Sequence, residues 1–139
     1  MTKNEAILTA VNWWSNKLKM KQPHENGDKS LASLFANMFT DMMMENIEDE
    51  QLDTFELELM RLIELEYEHG WYHLIFLSCD YSPCEMLSKA AKKAGINEFN
   101  FPHKVNLVIN KKENTVKVSD GYAQPYQNLQ FIPWKPKEE

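Results

Sequence analysis

A chain of 139 residues with 43% hydrophobic and 26% charged residues is long enough for one domain with a single core, and this balance excludes a disordered protein. No apolar run approaches the length of a membrane span, so a membrane partner is not expected. Two cysteines without a secretory signal argue against a structural disulfide. We therefore expect a cytoplasmic protein.

The net charge of −6 is unevenly distributed along the chain. Residues 41–68 contain eleven acidic residues and one basic residue, Arg61, whereas the remainder carries a formal charge of +4. Arg61 is also the only arginine in the sequence. Recognition of phosphates and base edges relies on the planar arginine side chain. We therefore expect no direct binding of nucleic acid.

The N-terminal part, residues 1–70, is predicted to be helical. Thr2 and Glu5 fit a capping box at the start of a first helix. A polar loop, residues 21–28, separates it from a second helix that begins near residues 28–30. Apolar residues at helical spacing define the core sides of these two helices: Ile7, Ala10, Val11, Trp14 and Leu18, then Leu31, Leu34, Phe35, Met38 and Met42.

A third helix is predicted from about Glu48 to Glu68, with Gly70 as its stop. Acidic residues fill its first turn, where the helix dipole favours negative charge. Leu57 and Leu65 lie on the side opposite to the core stripe, among carboxylates. The helix is thus expected to have a core face and a second face that mixes leucine with acidic residues. The core stripe is Leu52, Phe55, Leu59, Leu62 and Ile63.

Residues 71–134 are predicted to form a β-α-β-β unit. Aromatic and branched residues indicate a buried strand over residues 72–79. A helix is predicted over residues 83–94, and Gly95 ends it. Its inward side comprises Leu87, Ala90, Ala91 and Ala94.

Two further strands are predicted over residues 104–110 and 115–119, joined by a four-residue turn. An extended segment follows, and residues 135–139 are expected to be disordered. The predicted fold is therefore a single α+β domain, residues 1–139, with about three N-terminal helices and a mostly antiparallel three-stranded sheet.

The segment SCDYSPCEML, residues 78–87, allows two interpretations. Ser82, Pro83 and Glu85 suit a second capping box, with Pro83 at the first helical position. Alternatively, Cys84 lies in the first helical turn, where the positive helix end lowers the pKa of its thiol, and one of the four histidines serves as its base. The cap explains these residue types without catalysis, so an enzyme is the least favoured function.

A metal site would have to combine His69 and His73 with Cys79 and Cys84, whose side chains are suitable zinc ligands. These four residues are predicted to lie at a helix end, on a strand and in a turn, with different orientations. Strong zinc-binding sequences use closer ligand pairs. We therefore predict neither a metal site nor a cofactor.

The acidic segment, residues 41–68, is the main candidate for a binding surface. Its simplest interpretation is a solvated helical face. Alternatively, it binds a basic protein, because charge of one sign speeds encounter with an opposite patch and can imitate nucleic-acid phosphates. Leucines on the same face would serve as apolar anchors, form a homodimer interface, or be buried by the C-terminal segment. The predicted partner-binding residues are Asp53, Glu56, Leu57, Glu58, Glu64, Leu65 and Glu68.

A small-ligand pocket at the end of the first predicted strand is the second candidate site. Aromatic residues there would stack on a base, and the following helix start would receive a phosphate. The chain has no glycine-rich phosphate loop, and such rings more often belong to a core or a packed tail. The predicted pocket residues are Asp80, Tyr81, Ser82, Tyr122 and Tyr126.

Most of the chain outside the acidic segment resembles a group of small proteins from phages and prophages of Firmicutes-type bacteria. The resemblance rests on four segments: AILTAVNWWSNKL, CDYSPCEMLSKAAKKAGI, FPHKV and VKVSDGYAQPY. It implies a non-enzymatic accessory protein in a bacterial host, such as an anti-CRISPR-like inhibitor of a nucleic-acid-binding defence effector or a sponge for immune signalling nucleotides. It assigns no role to any residue.

Overall fold

The computed structural model describes residues 1–20 and 47–131. The polar loop predicted at residues 21–28, the second helix with its core stripe, and the end of the chain from residue 132 lie outside the described residues. The expectations for these segments therefore stay predictions.

The described residues form an α+β fold, as predicted. Two helices precede a β-α-β-β unit, and within the described residues the sheet has four strands in the order β1-β2-β3-β4, each pair antiparallel. The elements are α1 (Lys3–Lys19), α2 (Asp49–His69), β1 (Leu74–Asp80), α3 (Glu85–Ala94), a 3-10 turn (Glu98–Asn100), β2 (Lys104–Asn110), β3 (Thr115–Asp120) and β4 (Gln127–Asn128).

One face of the sheet forms one side of the hydrophobic core. Alternate residues of β1, β2 and β3 point to this face and are buried, because side chains alternate between the two sides of a strand. Helices α1 and α3 contact the sheet, and α2 packs against both of them. The buried sheet residues are Ile75, Leu77, Cys79, Val105, Leu107, Ile109, Val116 and Val118.

Helix α1 begins with the predicted capping box. The Glu5 N–H donates to Thr2 Oγ1 at 3.1 Å, and the Thr2 N–H donates to the Glu5 carboxylate at 2.9 Å. The predicted apolar stripe of α1 is buried, but Thr9, Asn12 and Ser15 are buried as well. Helix α1 is therefore enclosed on more sides than one apolar stripe indicates.

The C-terminal end of α2 is held by the turn between β2 and β3. Lys111 Nζ donates to the carbonyl oxygens of Glu66 at 3.0 Å and Gly70 at 2.8 Å. The Glu66 carbonyl also accepts the N–H of Gly70, which caps the helix. The Tyr67 hydroxyl donates to Asn114 Oδ1 at 3.2 Å. These contacts fix the end of α2 against one end of the sheet.

Two predictions about β1 and α3 are wrong. Strand β1 begins at Leu74, and Tyr72, predicted inside it, is exposed. Helix α3 begins at Glu85 with Cys84 as its N-cap and no side-chain cap hydrogen bond, so the Ser82 capping box does not form. The reason is that the chain after β1 folds back along the strand, where the Cys84 N–H donates to the Ser78 carbonyl at 2.9 Å.

The fourth strand was not predicted, because β4 is only two polar residues long and has no apolar alternation. It forms by backbone pairing of Gln127 and Asn128 with β3. The Leu129 N–H then donates to the Val116 carbonyl at 2.8 Å. Part of the extended segment predicted after β3 therefore adds a short strand to the sheet. None of the helices in the described parts of the chain is both long and apolar enough to cross a membrane.

Candidate binding surfaces

The outer face of α2, defined here as Asp53, Leu57, Arg61, Leu65 and Glu68, is the first candidate surface. The side chains of Leu57 and Leu65 are 62% and 41% exposed. Eight residues separate them along the helix, which corresponds to about 12 Å. The prediction that both leucines lie opposite the core stripe is therefore confirmed.

The only cation of the outer face is neutralised within α2. Arg61 donates to both carboxylate oxygens of Glu58, at 2.7 and 2.8 Å. These hydrogen bonds lower the pKa of the Glu58 carboxyl, and the charge of Lys93 on α3 adds a smaller lowering. Glu58 is therefore engaged within the protein, and Arg61 does not leave the outer face with an uncompensated positive charge.

Glu64 also has a partner inside the fold. Lys3 Nζ donates to its carboxylate at 2.6 Å and lies 5.6 Å from the centre of the Tyr67 ring. Burial and the nearby charge of Glu64 raise the pKa of the Tyr67 hydroxyl. Glu64 thus connects α2 to the first turn of α1 and is only partly available to a binding partner.

Glu56 does not lie on the outer face, contrary to the prediction. It is buried, and its carboxylate accepts a hydrogen bond from the buried Ser15 hydroxyl of α1. Leu59 and Ile63 follow Glu56 at spacings of three and seven residues, so the three side chains share one side of α2. Glu56 is therefore an interior residue between the two helices.

Two further predicted carboxylates border the exposed leucines, and one of them, Glu68, lies 3.8 Å from the His69 ring nitrogen. Asp53 and Glu68 lie at the two ends of the row that contains Leu57 and Leu65, and Glu68 is exposed while Asp53 is half-buried. Helix α2 as a whole carries eight carboxylates against Arg61. The outer face thus presents two leucines bordered by negative charge.

The aromatic cluster, defined here as Tyr81, His103 and Tyr122, is the second candidate site. The centre of the Tyr81 ring lies 5.9 Å from that of His103 and 6.2 Å from that of Tyr122. Tyr81 and Tyr122 were predicted pocket residues, whereas His103 was not. Antiparallel pairing of Asp80 with Lys104 explains its presence, because it places the residue before β2 beside the residue after β1.

The backbone around the aromatic cluster adopts left-handed conformations. Tyr81 has a φ of 63° and Ala123 a φ of 54°, and Gly121 has a φ of 116°. The Tyr81 N–H donates to the His103 carbonyl at 2.7 Å, and the Gly121 N–H donates to the Lys104 carbonyl at 2.9 Å. The turns that present Tyr81 and Tyr122 are thus anchored to the start of β2.

The other predicted pocket residues are arranged less compactly. Asp80 forms an ion pair with Lys104 at 3.3 Å. Ser82 contributes its carbonyl oxygen, which accepts the Asp80 N–H at 3.1 Å. Tyr126 is exposed, and within residues 1–20 and 47–131 no ring contact joins it to the aromatic cluster. The structure therefore brings the Tyr81 and Tyr122 rings together, whereas the Asp80 side chain pairs with Lys104.

The two cysteines differ in accessibility. Cys79 is buried, its thiol lies 2.9 Å from the Pro102 carbonyl oxygen, and burial raises the pKa of this thiol to about 12. Cys84 is half-buried, with Sγ 3.8 Å from the Phe76 carbonyl oxygen. Among the described residues, no group of three or more histidine, cysteine, aspartate or glutamate side chains is arranged to hold a metal ion.

Comparison with known proteins identifies no relative from which a site can be transferred. No protein-family model matches the chain, and no curated protein matches it. The two surfaces described above are therefore interpreted from their own geometry and charge.

Proposed function

We propose that the protein is a non-enzymatic accessory protein that binds a basic macromolecular partner through the outer face of α2. The observation that carries the proposal is the exposure of Leu57 and Leu65 in one row on a helix with eight carboxylates. Two aligned leucines offer a partner apolar contacts, and the surrounding carboxylates favour a positively charged surface.

Three carboxylates of α2 are engaged inside the fold. Glu56, Glu58 and Glu64 already contact Ser15, Arg61 and Lys3 respectively. Charge at the two ends of the outer face would guide the approach of a basic partner, because long-range attraction mainly speeds association. The leucines would then slow dissociation, because desolvated apolar anchors contribute most to the lifetime of a complex.

The most concrete form of this function is inhibition of a nucleic-acid-binding defence effector. A nucleic-acid-binding protein has a basic surface that recognises a row of phosphates. In this form of the function, the carboxylates that border Leu57 and Leu65 on α2 would take the place of phosphates, and the resemblance to phage proteins supports this type of partner. Occupation of the basic surface by α2 would exclude the nucleic acid.

The test captures proteins from a lysate of a bacterial host and compares three forms of the protein by quantitative mass spectrometry. These are the wild type, the double variant Leu57→Ser/Leu65→Ser, and the control Tyr126→Ser, which changes an exposed aromatic residue outside α2. We expect a basic partner that is captured by the wild type and the control, is lost with the double variant, and is released at high salt. Capture that survives both the double variant and high salt contradicts the proposal.

A further inference from the structure

We propose that the aromatic cluster is a second binding site, which takes a planar cation: the guanidinium group of an arginine in a peptide or protein. The cation would stack on the Tyr81 ring and pair with the Asp80 carboxylate. The cluster shares no residue with the outer face of α2, so the proposal does not depend on the proposed function.

Tyr81 offers the stacking surface. Its side chain is 71% exposed, and its ring centre lies 5.9 Å from that of His103 and 6.2 Å from that of Tyr122. The face of a tyrosine ring has negative electrostatic potential and attracts cations. A guanidinium group is planar and weakly hydrated, so it stacks on such a ring more readily than the compact ammonium group of lysine.

The charged side chains beside the cluster determine whether a positively or a negatively charged ligand fits. The Asp80 side chain is 62% exposed, whereas its partner Lys104 is 28% exposed. On the neighbouring strand, Asp120 accepts a hydrogen bond from Lys17 at 2.9 Å. A ligand that approaches from solvent therefore meets the Asp80 carboxylate more readily than the Lys104 ammonium group. This arrangement favours a cation and disfavours the phosphate of a nucleotide.

The backbone of Tyr81 gives independent support. Its φ of 63° is a left-handed conformation that bulky residues rarely adopt, and glycine would adopt it at a lower energetic cost. A strained backbone of this kind is concentrated at functional sites. Here the hydrogen bond from the Tyr81 N–H to His103 holds the exposed ring beside its neighbours, so a stacking ligand would find it already in place.

The test is an NMR titration of the full-length protein with three separate probes. N-acetyl-arginine methylamide is the expected ligand, N-acetyl-lysine methylamide has the same charge without the planar group, and adenosine monophosphate offers a base with a phosphate. We expect the arginine probe to shift the ring resonances of Tyr81 and Tyr122 and to bind about two- to fivefold more tightly than the lysine probe.

Three variants locate the site. Tyr81→Gly keeps a residue suited to positive φ, so the fold is expected to survive while arginine binding falls about two- to fivefold. Asp80→Asn should weaken binding by a similar factor, whereas Tyr126→Leu should not change it. The proposal is overturned if the arginine probe causes no ring shifts, if lysine or the nucleotide binds as tightly, or if the Tyr81→Gly variant binds arginine as well as the wild type does.

Discussion

The two sides of α2 have similar residue types but different environments. On the inner side, Leu59 and Ile63 are fully buried, and Glu56 contacts Ser15 of α1. On the outer side, Leu57 and Leu65 are exposed. Leucine and glutamate occur on both sides, so composition does not separate them. Position on the helix separates the two sides, because residues three or four apart share a side. The inner side stabilises the fold, and the outer side is the candidate for binding.

The largest expected difference in stability is between variants that shorten one leucine on the inner side and one on the outer side of α2. Leu59→Ala removes a fully buried side chain and should lower the free energy of unfolding by about 2–5 kcal/mol. Leu57→Ala removes an exposed side chain on the same helix and should change it by less than about 0.5 kcal/mol. Urea denaturation of both variants measures the contrast. Equal losses would show that the outer side is also packed in solution.

A smaller effect is expected at the polar contact of the inner side. Ser15→Ala leaves the buried Glu56 carboxylate without its donor, which should cost about 1–3 kcal/mol. Thr54→Ala is the control, because the Thr54 hydroxyl bonds to the carbonyl of Glu50 on the exposed side of α2. Thermal and urea denaturation compare the two variants. If Ser15→Ala is as stable as the wild type, Glu56 is not an interior residue.

A still smaller loss of stability is expected from a substitution at the C-terminal end of α2. Lys111→Met removes the two hydrogen bonds to the last carbonyl groups of the helix, and a loss of about 1 kcal/mol in unfolding free energy is expected. Lys112→Met is the matched control, since Lys112 is the exposed neighbour in the same turn. A difference between the two variants in urea would confirm the contact, whereas identical midpoints would argue against it.

The two cysteines also differ in burial, and this difference can be measured by labelling their thiols. A maleimide reagent should label Cys84 in the native protein and Cys79 only after unfolding, because burial keeps Cys79 protonated and out of reach. The Cys79 thiol has a raised pKa of about 12 against 9.0 for a free thiol. Its contribution to stability is therefore complete below about pH 9 and is lost as the pH rises towards 12.

Denaturation at increasing alkaline pH checks the sign of this effect. The wild type should lose stability more steeply than Cys79→Ala, which has no thiol to ionise. Parallel pH profiles, or rapid labelling of Cys79 in the native protein, would be inconsistent with a buried thiol at this position.

Much of the fold could be predicted from the sequence, because its signals are local. The capping box of Thr2 and Glu5 and the apolar spacing of α2 depend only on neighbours along one element. The burial of Glu56 could not be predicted in this way, since its hydrogen-bond donor, Ser15, belongs to another helix. The sequence nevertheless shows that Glu56 and Leu59 are three residues apart. This spacing places Glu56 on the core side of α2 and Leu57 on the outer side.

The site predictions were also limited to what neighbouring residues in the sequence can indicate. Ser82 has the residue type of an N-cap, but pairing of the segment after β1 with that strand takes precedence over the local cap. His103 joins the aromatic cluster through pairing of β1 with β2, more than twenty residues apart along the chain. Local patterns therefore indicated Tyr81 and Tyr122, whereas the third ring required knowledge of the strand register.

If the outer face of α2 binds a basic partner, the affinity of the purified partner depends on Leu57 and Leu65. Calorimetry should compare the wild type with Leu57→Ser/Leu65→Ser and with the control Tyr126→Ser. We predict that the double variant binds at least about tenfold more weakly, as expected for loss of apolar anchors at an interface centre, while the control binds like the wild type. An unchanged affinity for the double variant would contradict the account.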